Sequence, residues 1–111
     1  MNDSLVRKKG FQYAIRTAEL VRYLQEQEKQ FPLSEKLLCS GFAAGKNCCN
    51  MTGEKDLREI PYAAAECIKE VNFIIEMAVH AGYLTEIQSA PIREEGLALL
   101  ELLQETRRME E

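Results

Sequence analysis

The chain has one histidine, two aspartates, three prolines and no long apolar run. Each shortage excludes something. General acid-base catalysis needs a positioned pair of groups with matched proton affinities. With His80 alone and glutamates spread over polar stretches, no residue set announces a reaction. Without a Cys-x-x-Cys pair, and with cysteines at 39, 48, 49 and 67, neither zinc nor redox spacing is present. No segment approaches the ~20 apolar residues of a membrane span, and the first ten residues lack the apolar core of a signal peptide. Cytoplasmic location and reduced thiols are therefore expected. No Pro-, Gly- or Ser-rich linker divides the 111 residues, so they are read as one domain, residues 1–111.

What is present is helical periodicity. Charged residues make up 29% and hydrophobic residues 46%, ordinary values for a globular chain. Four segments follow one another. The first runs from about Ser4 to Gln30, with Asp3 or Ser4 able to cap it and a predicted core face of Phe11, Ala14, Ile15, Ala18 and Val21. It ends at Phe31-Pro32, where proline pushes the preceding residue out of helical geometry. The second, from Leu33 or Ser34 to about Thr52, places Leu38, Gly41, Phe42, Gly45, Cys48, Cys49 and Thr52 on one face. Glycine is the poorest helix former after proline. Gly41 and Gly45 therefore imply close backbone approach, with Cys48 buried beside them and Asn47 a buried or half-buried polar group with a hydrogen-bond partner.

The third segment starts near Glu54. Ile60, Ala64, Cys67, Val71, Ile74, Ala78 and Ala81 step alternately by four and three, as in a coiled-coil seam. Pro61 either opens this helix or kinks it, and Gly82 stops it as a left-handed C′ residue. The fourth follows Thr85 as N-cap, with Ile92, Leu99, Leu100 and Leu103 facing the core. Pro91 and Gly96 predict a kink or a start near Ala90. No strand signal competes. Short connections make this an all-α, antiparallel, up-down-up-down four-helix bundle.

Tyr13, Leu20 and Tyr23 on the first helix, and Phe73 and Met77 on the third, fall off these core faces and form a candidate oligomer interface. Charge is polarised along the chain. Residues 1–30 hold six Lys/Arg against four acids, whereas residues 61–111 hold four against ten. Arg7, Lys8, Lys9, Arg16 and Arg22 are the candidate contacts to RNA or DNA, since phosphate affinity comes from clustered basic side chains. On an acidic chain of net charge −4, a solvated helix face is the preferred reading. The adjacent Cys48-Cys49 pair is the remaining thiol or metal candidate. Neighbouring helical positions cannot aim both sulfurs at one point, and reactive thiols need a nearby cation or a helix N-terminus.

Three stretches resemble a known family. They are Ala14-Ile15-Arg16 leading through Tyr23-Leu24 to Phe31-Pro32-Leu33; Ser40-Gly41 followed by Gly45 and Asn47; and Ala81-Gly82-Tyr83-Leu84. Together they resemble the small four-helix-bundle proteins encoded by intervening sequences in bacterial 23S ribosomal RNA genes, over about residues 11–103. Where that family has arginine before Ser-Gly and Ile-Ala-Glu after asparagine, this chain has Cys39 and Cys48-Cys49-Asn50, so only Asn47 carries over. The resemblance implies a homo-oligomer, often a pentamer, with no established catalysis. It also extends in fold to the accessory variability determinant of diversity-generating retroelements, a usually basic pentamer that works with a reverse transcriptase and nucleic acid. The expected function is a non-enzymatic, oligomeric module that binds a protein or ribonucleoprotein partner. Direct RNA or DNA binding through the first helix is the alternative. No cofactor, metal, small-molecule substrate or membrane contact is expected.

Overall fold

The computed structural model describes residues 3–50 and 59–110. They form four helices and no strand: α1 (Asp3–Gln25), α2 (Ser34–Cys49), α3 (Glu59–His80) and α4 (Glu86–Glu110). Thr52, and the expected start of the third segment near Glu54, lie outside the described residues. Each helix packs on its neighbours in the chain, and α4 returns to pack on α1. This closed circuit of antiparallel neighbours is the up-down-up-down four-helix bundle, 47 Å long and 19 × 18 Å across.

Local chemistry sets the ends of the helices. α1 stops at Gln25 rather than Gln30, because side-chain amides take over its last carbonyls: Gln27 Nε2 donates to Tyr23 O at 3.1 Å and Gln30 Nε2 to Gln25 O at 3.0 Å. After α3, Gly82 takes a φ of 84°. The amides of Tyr83 and Gly82 donate to the carbonyls of Ala78 and Val79, which is the Schellman closure that a left-handed glycine permits. Thr85 then caps α4 reciprocally. Gln88 N donates to Thr85 Oγ1 at 3.0 Å, and Thr85 N donates to Gln88 Oε1 at 2.9 Å, a capping box. That box starts the helix at Glu86, so α4 runs through Pro91 instead of beginning at Ala90. Pro61 sits in the first turn of α3, where its missing N–H is no loss.

The core is one cluster of buried side chains from all four helices. From α3, Ala64, Val71, Ile74 and Ala78 are buried as the seam predicts, joined by Ile68 and Ile75. Cys67 is half-buried, and Ala81 is exposed in the turn beyond the helix. Ile92, Leu99 and Leu103 of α4 meet them. One end of the bundle is sealed by Phe31 against Tyr83, with ring centroids 5.0 Å apart, and Lys29 Nζ stands 5.7 Å from the Tyr83 ring centre.

The face of α1 is a correction. Phe11 and Ile15 are 59% and 46% exposed. The buried face is instead Val6, Gly10, Tyr13, Thr17, Val21 and Leu24. Tyr13 is thereby removed from the outer stripe: it is 1% exposed, in the core. The same turn of the wheel applies on α2, where Leu37, Gly41, Ala44, Gly45 and Cys48 are buried while Leu38 and Phe42 face outward. Both shifts have one cause. The two helices approach through their smallest residues, and bulky side chains are left on the flanks.

Candidate interaction surface

The approach of α1 and α2 is set by three glycines. A Cβ on Gly10 would lie 2.3 Å from Cys48 Cβ, one on Gly41 2.3 Å from Thr17 Cγ2, and one on Gly45 2.6 Å from Ala14 Cβ. These pairs also fix the antiparallel register. Thr17 can occupy the seam because its hydroxyl donates to Tyr13 O at 2.8 Å, which satisfies it within its own helix. Asn47, half-buried, donates through Nδ2 to Ala43 O at 2.9 Å and lies 3.9 Å from Cys67 Sγ.

Successive residues of a helix are ~100° apart, so the residues following the buried glycines are turned to the outer flank of the seam. Phe11 follows Gly10 and Phe42 follows Gly41, and both are about 60% exposed. Ile15 stands one turn along from Phe11, and Leu38 one turn along from Phe42, each also exposed. In the register given by Ala14 on Gly45 and Thr17 on Gly41, Ile15 and Phe42 fall at the same level of the bundle. The result is a four-residue apolar strip along the outside of α1 and α2, flanked by the exposed Lys8, Arg22 and Lys46. The signal for it was present in the sequence: with glycines placed inside, the aromatic residue after each must face out.

The residues singled out from sequence are dispersed. Leu20 is half-buried, and with Tyr23 it lines a groove between α1 and α4 together with Gln88, Pro91 and Ile92. The Tyr23 hydroxyl accepts a hydrogen bond from Gln88 Nε2 at 2.9 Å. Phe73 and Met77 are exposed on the outer side of α3, away from that groove. The basic residues divide as well. Arg16 pairs with Glu95 of α4, and Arg22 lies 3.6 Å from Glu26. Lys9 lines a second α1/α4 groove with Glu95, Lys8 and Arg22 point outward, and Arg7 is half-buried on the α2 side, its carbonyl accepting from Cys49 Sγ at 3.9 Å.

Of the four cysteines, Cys48 is the packing group of the core. Cys48 is fully buried, and that burial, with Cys49 and Cys67 nearby, pushes its pKa up to about 12. Burial also raises Cys67, assisted by the Glu70 carboxylate and opposed by the Asn47 hydrogen bond. A Cys48 thiol held protonated is a poor nucleophile at neutral pH. Among the described residues no three His, Cys, Asp or Glu side chains are grouped to hold a metal, and no helix is long and apolar enough to cross a membrane. Among the described residues, Glu70 is the one carboxylate held below its ordinary range, by the Ser40 hydroxyl that donates to it and by Lys36 at 3.5 Å. It is a surface cross-link between α2 and α3.

No family model matches the chain, and no curated protein matches it. Among solved structures, a protein of unknown function from the S23 ribosomal protein family of Bacteroides thetaiotaomicron is similar, with a TM-score of 0.86 over 96% of this chain and 95% of that chain, at 24% identity. At this identity the likeness establishes the fold, an all-α four-helix bundle shared almost end to end with that protein.

Proposed function

We propose that the protein is a non-enzymatic helical module that self-associates and, as a cytoplasmic assembly, binds a protein or ribonucleoprotein partner. The apolar strip of Phe11, Ile15, Leu38 and Phe42 carries this reading. Contiguous exposed apolar surface on a bundle whose core is already filled is a mark of an interface. The faces are also complementary. Lys8 on α1 and Lys46 on α2 flank the strip, while Glu94, Glu101 and Glu105 lie exposed on the outer side of α4 beside Leu97. A strip on one helix pair and an acidic face on another form a heterologous contact, which closes into a ring when the rotation allows. A ring, such as the pentamer implied by the resemblance to the intervening-sequence proteins of 23S ribosomal RNA genes, fits this asymmetry. The ribosomal family name carried by the fold neighbour points to the same ribonucleoprotein context. Direct RNA or DNA contact through α1 loses support, because its basic residues spread over three sides of the helix and Arg16 and Arg22 are paired with acids.

Sedimentation velocity at tens of micromolar tests the reading. The wild-type chain is expected as an oligomer, and Phe42→Glu as a monomer with unchanged helical circular dichroism. A monomeric wild type, or a Phe42→Glu variant that still assembles, would overturn it. Binding of a 23S ribosomal RNA fragment, measured against salt, separates a direct nucleic-acid role, since phosphate contacts weaken steeply as salt rises.

A further inference from the structure

The four seams of the bundle are held unequally. Glycines let α1 and α2 interlock, whereas the α1/α4 seam is the least extensive of the four and carries two grooves of about 270 Å³ each. Between the grooves stands the Arg16–Glu95 pair, with side chains 47% and 35% exposed, and ion pairs at such exposure contribute little. Beneath that pair, two buried polar atoms have no hydrogen-bond partner among the described residues: the Tyr13 hydroxyl, from α1, and Asn72 Oδ1, from α3. Both converge on α4. A Cβ on Gly96 would lie 3.3 Å from the Tyr13 oxygen and 3.2 Å from Asn72 Oδ1. Unpaired polar atoms penalise the closed bundle, and water would satisfy both once α4 lifts. Pro91, a little over one turn earlier, deprives the Ile87 carbonyl of its helical donor, so the first turns of α4 are held by one backbone bond fewer.

We infer that α4 is a releasable strap. The α1/α4 seam opens, α4 turning out on residues 82–85, while α1, α2 and α3 stay packed. The closed state is retained by Ile92, Leu99 and Leu103, which are 1–2% exposed, and is biased toward opening by the two unpaired atoms against Gly96. Opening uncovers the inner faces of α1 and α3, a surface distinct from the outer strip on α1 and α2.

Amide hydrogen exchange on the full chain tests this, because sub-global openings appear as elements that exchange ahead of the rest. Amides of residues 92–103 are expected to exchange at least ~10-fold faster than those of residues 37–48 and 64–78. Tyr13→Phe, which removes the hydroxyl and keeps the ring, is expected to slow exchange in α4 roughly tenfold, and Asn72→Leu to act in the same direction. Equal protection of the four helices would overturn the proposal. So would a Tyr13→Phe variant whose α4 exchanges at the wild-type rate or faster, since the hydroxyl would then be bonded in the closed bundle.

Discussion

At the scale of single residues, the seam between α1 and α2 makes glycine the only fitting side chain at several positions. For Gly45→Ala, the added Cβ meets Ala14 Cβ at 2.6 Å and the Gly10 carbonyl oxygen at 2.9 Å. Neither is the end of a flexible chain, so the helices must separate. Overpacking of this kind costs about 1–3 kcal/mol, against about 1 kcal/mol gained from alanine's better helix propensity. A net loss of up to about 2 kcal/mol is expected, read as a lower urea midpoint at unchanged slope; a stabilised variant would refute the close packing. Gly82→Ala tests a different term. No atom lies within 4 Å of its Cβ position, yet its φ is 84°, so a loss of about 1 kcal/mol would come from backbone strain alone. The cysteines differ in kind as well. Cys39, exposed, is expected to react quickly with a thiol reagent at pH 8, and Cys48, buried and protonated, only when the chain unfolds.

These residues also show where sequence reading stops. Gly41, Gly45 and Cys48 stand out as a close-packing motif because glycine in a helix is anomalous by propensity alone. Tyr13 and Thr17 do not stand out. A polar atom scores against burial, and nothing in the sequence says that the Thr17 hydroxyl turns back to its own helix, or that the Tyr13 hydroxyl sits against Gly96. The more hydrophobic stripe, from Phe11 through Ile15 to Ala18, therefore wins the count and loses the core, and of the expected face only Val21 is buried.

At the scale of the element, legibility follows the strength of the period and the chemistry of the ends. α3 has one dominant apolar stripe, and its buried face matches the heptad-like seam from Ala64 to Ala78. α1 has two competing stripes of similar weight, and the partner's glycines, far away in sequence, decide between them. The α3–α4 connection is legible because Gly82 and Thr85 act locally. Pro91 misleads for the opposite reason: within the first two turns of α4 its missing donor affects a single carbonyl, and the Thr85–Gln88 box has already fixed the start. Replacing Thr85 by alanine removes one half of that box, and about 1 kcal/mol of stability should be lost. Thr85→Ser, which keeps the hydroxyl, should recover most of it. Thermal unfolding of both variants checks this, and equal loss in the two would show that the hydroxyl contributes nothing.

At the scale of the whole molecule, the buried titratable groups fix how stability depends on pH. The Cys48 thiol is raised from 9.0 to about 12, chiefly by burial, and the Tyr13 phenol is raised above 10.0, first by burial and then by the Glu95 carboxylate. Both are neutral when protonated, and both keep the proton longer in the folded chain than in the unfolded one. The sign follows directly. Their contribution is complete below pH 9; above it the unfolded chain loses a proton that the folded chain retains, and stability falls by at most about 1.4 kcal/mol per pH unit for each group titrating. Urea denaturation at pH 7, 8, 9, 10 and 11 should show little change from these groups up to pH 9, then a decline that steepens above pH 10 as tyrosine joins cysteine. Variants separate the two contributions. Cys48→Ala starts from lower stability because of the lost sulfur, but its curve should be flatter from pH 9 upward, whereas Tyr13→Phe, starting from higher stability because the buried hydroxyl is gone, should run parallel to the wild type to pH 10 and flatten beyond. A Cys48→Ala curve parallel to the wild type through this window would mean that the sulfur titrates in the folded bundle as it does in the open chain. The seam between α1 and α2 would then admit water, and the close approach of Gly10 to Cys48 would not hold in solution.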